Sequence, residues 1–157
     1  SFNSMGKIGE VDLTTLLGYT YMYPISLNKD SIYKLSFSDP STNMLKYRFN
    51  HMAKADIQAT YKAFSLGISS RYNSYMKNID RVFEDGVLGE ELLVGMANYR
   101  SVFNKGVAVF DARFGYQINE AFKVNFIANN LFNKEYVSRP GDVQAPRNFI
   151  LQMQLAL

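Results

Sequence analysis

The charged residues that could interact on the faces of predicted strands are Lys54, Asp56, Arg71, Asp111 and Arg113. Each alternates with apolar neighbours, so all five are expected on the polar faces of strands. We interpret residues 62–63 as a two-residue turn. Lys54 then lies directly opposite Arg71, with Asp56 diagonal to the same arginine. Because like charges directly opposite each other are destabilising, we predict an ion pair between Asp56 and Arg71, extended by the two charged residues of the next strand.

No combination of residues forms a recognisable catalytic or metal site. Cysteine is absent and His51 is the only histidine, which excludes thiolate chemistry and multi-histidine metal sites. We interpret His51 as a solvated residue at a strand end, and Glu90 and Glu91 as solvated loop charges. The basic residues are scattered at a net charge of +3, so no nucleic-acid surface is indicated. The protein is therefore predicted not to be an enzyme, and no cofactor or metal ion is expected.

The elements that must position these residues are strands, because apolar and polar residues alternate with a period of two. The pattern predicts six strands, at about 8–23, 53–61, 64–72, 106–118, 122–132 and 149–157. The connections at 62–63 and 119–121 are short, and those at about 24–45, 77–104 and 133–146 are long. Short and long connections therefore alternate along the chain.

This arrangement is typical of an outer-membrane β-barrel, in which periplasmic turns are short and extracellular loops are long. The apolar face would contact lipid and the polar face would line the lumen. No apolar run approaches the roughly 20 residues of a membrane-spanning helix, although 47% of the residues are hydrophobic. A soluble β-sandwich shows the same alternation, but its strands are usually about five or six residues long. We therefore predict an all-β, antiparallel transmembrane β-barrel, with about six of its strands in residues 1–157.

A distinctive motif occupies residues 129–149. It consists of Asn129-Asn130-Leu131-Phe132, Lys134-Glu135-Tyr136, Pro146-Arg147 and Phe149. The motif resembles the C-terminal end of TonB-dependent outer-membrane receptors. Residues 16–28 and 45–62 are similar to strands of the Bacteroidetes branch of that family, so the resemblance extends over nearly the whole chain.

The resemblance implies a 22-stranded barrel around an N-terminal plug, of which residues 1–157 would supply the last six strands. The plug, through which TonB–ExbB–ExbD would act, is absent from this sequence. The implied location is the bacterial outer membrane, with lipid, the remaining strands and the plug as partners. The implied activity is uptake of a scarce nutrient, such as an iron-siderophore, haem or a vitamin. One departure is Leu157, because this family usually ends in an aromatic residue.

Ligand contacts would come from the long loops, which the resemblance places on the extracellular side. The loop residues expected to contact a ligand are Tyr33, Arg81, Tyr99, Arg100 and Arg139. In the middle loop, apolar residues fall at helical spacing at Leu92, Leu93, Met96 and Tyr99. A short helix and an irregular loop with buried anchors both fit this spacing.

Two other hypotheses fit the strands. A self-contained small outer-membrane barrel with a structural or adhesive role would need about eight strands, and the only spare sequence lies in the loops, for example at 32–38. A soluble binding module would have a dry apolar interior and would be extracted without detergent. Strand count and the need for detergent separate these hypotheses from a transporter segment.

Overall fold

The computed structural model describes residues 1–28 and 30–156, which form one antiparallel sheet. Its seven strands lie in chain order, so each pairs with its neighbours in sequence. The strands are β1 (Phe2–Ile8), β2 (Val11–Tyr21), β3 (His51–Tyr61), β4 (Phe64–Ser74), β5 (Gly106–Gln117), β6 (Phe122–Asn129) and β7 (Asn148–Leu155). Three short helices lie in the connections, namely α1 (Ser31–Leu35), α2 (Val82–Asp85) and α3 (Met96–Val102). None of the helices in these two ranges is long and apolar enough to cross a membrane.

One face of the sheet is largely apolar and the other is largely polar. One cross-strand row of the apolar face contains Leu66, Phe114, Phe126 and Leu151. These four side chains are between 46% and 62% exposed. A β-sandwich would need a second sheet against this face, and the described residues form a single sheet. The predicted all-β, antiparallel fold is confirmed.

The predicted first strand at 8–23 corresponds to β2, with bounds that are too wide, and the sequence analysis missed β1, which forms a hairpin with it. Gly9 and Glu10 join β1 to β2, and Gly9 has the positive φ of 61° that tight hairpin turns favour. The alternation in β1 is weak, because Ser4 and Gly6 lie on the apolar face and Met5 lies on the polar face. The sheet therefore has seven strands rather than about six.

The two predicted short turns have the expected lengths. Residues 62–63 join β3 to β4, and Lys54 pairs with Arg71 as predicted. The Ile118 amide donates to the Phe122 carbonyl beyond the end of β5, so residues 119–121 form the three-residue turn to β6. In this turn the Asn119 side chain accepts hydrogen bonds from the amides of Ala121 and Phe122. With the additional turn at 9–10, short and long connections alternate from β1 to β7.

The two edges of the sheet are β1 and β7, which do not pair with each other. Apolar side chains of β7, such as Leu151 and Met153, remain exposed. An uncovered edge presents a row of unpaired N–H and C=O groups that can pair with another strand. The seven described strands therefore do not close a barrel among themselves.

The long connections are L1 (22–50), L2 (75–105) and L3 (130–147), which all leave the same end of the sheet. L1 and L2 pack together through a bridge between Phe37 and Asp80. The largest fully buried side chains among the described residues all lie in these two loops: Phe37, Met44, Asn78 and Ile79. The best-buried hydrophobic core of this segment is thus in its loops rather than on its sheet.

The middle loop, L2, contains both a short helix and an irregular segment with a buried anchor, the two structures that fit its sequence. Met96 and Tyr99 lie in α3, as the helical spacing predicts. Leu92 and Leu93 precede the helix in irregular chain, where Leu93 packs against the loop core and Leu92 is exposed. Gly95, with φ of 79°, separates the two parts because its left-handed backbone cannot continue a helix.

Substituting Phe37→Ala should separate L1 from L2 and leave the sheet intact. Truncating a buried phenylalanine costs about 3–5 kcal/mol, because the cavity is not fully refilled. We expect limited proteolysis to cleave L1 and L2 much faster in this variant than in the parent protein. Leu88→Ala is the matched control, because Leu88 is fully exposed at the tip of L2. Equal cleavage rates in the two variants would contradict the shared L1–L2 core.

Candidate functional site

An ion pair on the polar face joins Asp56 of β3 to Arg113 of β5 across the intervening strand. Arg113 Nη1 lies 2.8 Å from Asp56 Oδ2, and Nη2 lies 2.9 Å from Oδ1. The predicted pair between Asp56 and Arg71 is therefore wrong, although both residues lie on the polar face. The two parallel bonds match the planar guanidinium to the carboxylate, which makes the pair stronger than a single contact.

Gly67 of β4 gives Arg113 the space to cross the sheet. Register places Gly67 directly beside Arg113. A Cβ at Gly67 would lie only 2.8 Å from Arg113 Nη2. The arrangement recurs on β2, where a Cβ at Gly18 would lie 3.0 Å from Cγ and Cε of Lys54. Glycine on the polar face thus lets a long cationic side chain lie over the neighbouring strand.

Arg71 and Asp111 form a second and longer pair beside the first. Arg71 Nη2 lies 3.5 Å from Asp111 Oδ2. Asp111 also accepts a hydrogen bond from the amide of Asn130 at 2.8 Å, which connects the polar face to the start of L3. Lys54 is in none of the ion pairs found within residues 1–28 and 30–156. The predicted network therefore exists with different partners.

Asn130 of the C-terminal motif organises L3. This residue is buried and has a positive φ of 50°. Its side-chain nitrogen donates to the carbonyls of Lys134 and Ala145, and its side-chain oxygen accepts from the Lys134 amide. Asn133 accepts a hydrogen bond from the Arg147 amide at 2.8 Å. These bonds satisfy backbone groups that the sheet cannot pair and direct the chain into β7.

A polar cluster of Lys46, Tyr47 and Asp80 joins L1 to L2. The Asp80 carboxylate accepts hydrogen bonds from the Lys46 ammonium and the Tyr47 hydroxyl. Burial opposes ionisation of Asp80, but the hydrogen bonds from Lys46 and Tyr47 hold its pKa below the ordinary value. Burial, together with the hydrogen bond to Asp80, raises the pKa of Tyr47 to about 12. At neutral pH the cluster is therefore a carboxylate held by an ammonium and a phenol.

Three of the predicted ligand residues line one small cavity of about 60 Å³ next to L2 and L3: Tyr99, Arg100 and Arg139. Arg100 is buried and forms an ion pair with Glu84 through Nε. Its other two nitrogens donate to the carbonyls of Met76 and Lys77 at 2.9 and 3.2 Å. All nitrogens of this guanidinium are thus engaged within L2.

Tyr99 and Arg139 differ in whether their polar groups already have partners within the protein. The Tyr99 hydroxyl accepts a hydrogen bond from the Val137 amide at 3.2 Å, and burial raises the pKa of Tyr99. Arg139 is exposed and has no ionic partner among the ion pairs of the described ranges. Of the three cavity residues, Arg139 is therefore the one with an unengaged charge.

The remaining two predicted ligand residues lie away from this cavity. The Tyr33 ring packs edge-on against Phe37, with 5.2 Å between ring centroids. Arg81 Nε lies 2.6 Å from Oδ2 of Asp85. The structure therefore does not bring all five predicted loop residues into one site.

The other reactive side chains do not converge on a metal site. No group of three or more His, Asp or Glu residues that could hold a metal ion occurs in the part of the chain that the structure describes. The Glu91 side chain accepts a hydrogen bond from the Gly95 amide at 2.7 Å, while Glu90 is exposed. His51 is exposed at the start of β3, and its Nδ1 lies 2.8 Å from the Tyr19 hydroxyl.

The residues that hold the loops together are the ones that sequence analysis missed. Lys46 and Asp80 lie 34 positions apart, and no local pattern relates them. Asn130 is part of the quoted motif, and asparagine is among the residues that most often adopt positive φ. That preference, at the end of a predicted strand, is the signal that could have identified its role.

Comparison with known proteins shows which solved structures share this fold. No protein-family model matches the sequence, and no curated protein matches it significantly. The chain is similar to the closed form of the ferric-catecholate import receptor Fiu from E. coli K12, with 23% identity over 94% of this chain and a TM-score of 0.65. The open form of the same receptor gives 19% identity over 94% of this chain and a TM-score of 0.57.

A second receptor shares the fold. The siderophore receptor PiuA from Acinetobacter baumannii matches 98% of this chain at 14% identity, with a TM-score of 0.60. The chain spans about a fifth of the length of these receptors, between 18% and 20%. The resemblance to TonB-dependent receptors is thereby confirmed for the fold, since the antiparallel sheet of the described residues matches a segment of these receptors.

Substituting Gly67→Ala should break the pair between Asp56 and Arg113, because the added Cβ occupies the path of the guanidinium. The pair is about one-third exposed, so its loss should cost only about 1 kcal/mol. We expect a lower thermal unfolding midpoint for the protein in detergent. Gly6→Ala is the control, because a Cβ at Gly6 meets nothing within 4 Å. Equal midpoints for the two variants would contradict the role of Gly67.

Acidification should loosen the L1–L2 contact. Because the pKa of Asp80 is lower in the folded loops than in the unfolded chain, its carboxylate stabilises the loops above about pH 4. That contribution is lost as the pH falls through the lowered pKa. We expect the protection factors of L1 and L2 amides against hydrogen exchange to fall at acidic pH, and Asp80→Asn to weaken this dependence. Asp85→Asn, an exposed carboxylate in the same loop, should retain it, and a pH dependence unchanged in Asp80→Asn would exclude this mechanism.

Proposed function

We propose that this chain is part of an outer-membrane transporter that imports a scarce nutrient, such as an iron-siderophore, haem or a vitamin, into the periplasm. The observation that carries the proposal is the seven-stranded sheet with one apolar face, which has the fold of siderophore receptors over 94% of the chain. In this proposal the apolar face contacts lipid and the polar face lines the lumen. No enzymatic step is assigned to any residue.

Strand length and backbone pairing support a membrane location. The strands β2, β3 and β4 each have 11 residues, which is about the length of a tilted strand that crosses a bilayer. Backbone groups in lipid must all be paired, so an open sheet edge cannot face the hydrocarbon. The edges at β1 and β7 would therefore pair with the remaining strands of a larger barrel.

The motif and the alternation of connections support a position at the end of that barrel. Transporters with a plugged lumen are built from about 22 strands, of which β1–β7 would be the last seven, one more than the sequence predicts. The plug and the strands outside this chain would be the partners of its polar face and edges. TonB–ExbB–ExbD would supply energy through that plug.

Within such a transporter, the residues of this chain would have two tasks. The pairs of Asp56 with Arg113 and of Arg71 with Asp111 fix neighbouring side chains on the lumen wall. The packed loops L1, L2 and L3 would form part of the extracellular entrance, where an exposed side chain such as Arg139 could meet a ligand. Binding at the loops would precede passage along the wall.

Deleting the gene that encodes this chain should reduce uptake of one chelate in a panel of ferric siderophores, haem and cobalamin. Complementation should restore uptake in cells with TonB and fail in cells without it, because the proposed transport is energised through TonB. The protein should be recovered in outer membranes and released only by detergent. Release without detergent would support a soluble binding module, and unchanged uptake across the panel would contradict the transport proposal.

A further inference from the structure

A groove of about 500 Å³ lies on the apolar face of the sheet, along the half of β3 that is nearer the loops. Its floor consists of small side chains, namely Ala53 and Ala55 of β3 and Ser70 of β4. Lys54 also borders the groove, but alternation places its side chain on the polar face, against Gly18. Small residues at adjacent positions thus form a depression in an otherwise bulky apolar surface.

Larger side chains form the two walls of this groove. Leu17 and Tyr19 of β2 lie on one side, and Tyr72 of β4 lies on the other. All three remain exposed, so their carbon surface faces outward. No acidic residue lines the groove in the part of the chain that the structure describes. The shape and composition of the groove therefore suit a hydrocarbon chain.

The end of the groove nearer the loops is polar. The Tyr19 hydroxyl lies 2.8 Å from Nδ1 of His51, the first residue of β3. The Tyr21 ring lies beside the same imidazole, with 5.1 Å between ring centroids. The Tyr72 hydroxyl points to the loop end as well, because a Cβ at Gly106 would lie 3.0 Å from it. Tyrosines in this arrangement are typical of the boundary between hydrocarbon and headgroups.

The other end of the groove stops at bulky side chains. Ile57 of β3 pairs with Ile68 of β4 in the next row of the apolar face, and both are exposed. His51 and Ile57 belong to the same strand, and six steps of about 3.3 Å along a strand tilted by about 45° correspond to a depth of about 14 Å. This is about half of the roughly 30 Å hydrocarbon core. The groove therefore lies within a single leaflet.

This depth distinguishes a lipid from a protein partner. A membrane-spanning segment of another protein, or a second copy of this chain, would cross both leaflets and would contact the full length of the strands. A lipid instead has its hydrocarbon chain in one leaflet and its polar headgroup at the boundary, as the groove and its polar end require. Small residues suit such a contact, because association within hydrocarbon depends on close van der Waals packing.

We propose that the groove holds one acyl chain of a phosphate-bearing membrane lipid, whose phosphate accepts a hydrogen bond from Nε2 of His51. When the Tyr19 hydroxyl donates to Nδ1, the neutral imidazole carries its proton on Nε2. His51 is exposed, so this donor is accessible to a headgroup. The inference rests on the membrane location in the proposed function and adds to it a binding site for one class of lipid.

The test is native mass spectrometry of the complete protein, purified in detergent and freed of its own lipids. The probes are dipalmitoyl phosphatidic acid, dipalmitoylglycerol, which lacks the phosphate, and dihexanoyl phosphatidic acid, whose chains are too short to fill the groove. We expect the parent protein to retain the first probe about tenfold better than the second, because a hydrogen bond to a charged group contributes a factor of this size. The short-chain probe should be retained less well than the first.

Substituting Ala55→Leu should fill the floor of the groove. We expect retention of dipalmitoyl phosphatidic acid to fall about fivefold, because the acyl chain loses its van der Waals contacts with the floor. Ala59→Leu is the matched control, since Ala59 lies on the same strand and the same face but outside the groove. This control should retain the probe like the parent protein.

Substituting His51→Phe should remove the headgroup contact and leave the groove open. Phenylalanine keeps an aromatic ring beside Tyr21 but has no hydrogen-bond donor. We expect this variant to retain dipalmitoyl phosphatidic acid and dipalmitoylglycerol equally well. A preference for the phosphate that persists in His51→Phe would exclude this residue as the headgroup contact.

Two further results would overturn the lipid site. One is a parent protein that does not distinguish the three probes, a comparison that needs no variant. The other is an equal effect of Ala55→Leu and Ala59→Leu. Lipid retention requires neither a chelate nor TonB, so it is independent of uptake. If the lipid binds as expected but cells show no uptake, the transport proposal fails and the lipid site stands, whereas normal uptake without selective retention removes the lipid site alone.

Discussion

Strand register is the constraint on which this segment depends. Side chains alternate between the two faces, so a shift of one residue would exchange the apolar and polar faces of a strand. The same register that aligns Leu66 with Phe114 also sets Gly67 beside Arg113. The apolar face of the sheet and the ion pair of Arg113 with Asp56 therefore both depend on the register between β4 and β5. Neither could be changed without the other.

The loops are stabilised differently from the sheet, because the hydrogen-bond ladder between strands does not extend to their backbone groups. Side chains instead form hydrogen bonds with these backbone groups. Asn130 donates to two carbonyls in L3, and Asn78 donates to the Met44 carbonyl in L1. Around these bonds, Phe37 and Ile79 supply the buried apolar area that the sheet of this segment lacks. Rigid loops on a regular sheet can hold charged side chains at fixed positions, which a binding surface requires.

Much of the sheet follows from sequence, because a period of two is a local pattern. Six of the seven strands and both predicted turns follow from that pattern, and turn length alone placed Lys54 opposite Arg71. β1 was missed since Ser4 and Gly6 interrupt its apolar face. The partner of Asp56 was missed because the prediction considered ion pairs between adjacent strands only. Gly67 of β4 leaves space for Arg113 of β5 to reach Asp56 of β3 across the intervening strand. The contact of Lys46 with Asp80 depends on how two loops fold against each other, which no local spacing encodes.

The order of the strands has a consequence for assembly. Every strand pairs with its neighbour in the chain, so each hairpin contains most of the contacts that stabilise it. Closing the long loops adds little entropy cost, because that cost grows only with the logarithm of loop length. The sheet can therefore grow hairpin by hairpin, and its two open edges are where growth continues. Those same edges are the places at which an incomplete sheet would join a second copy of itself, so folding and misassembly compete for the same backbone hydrogen bonds.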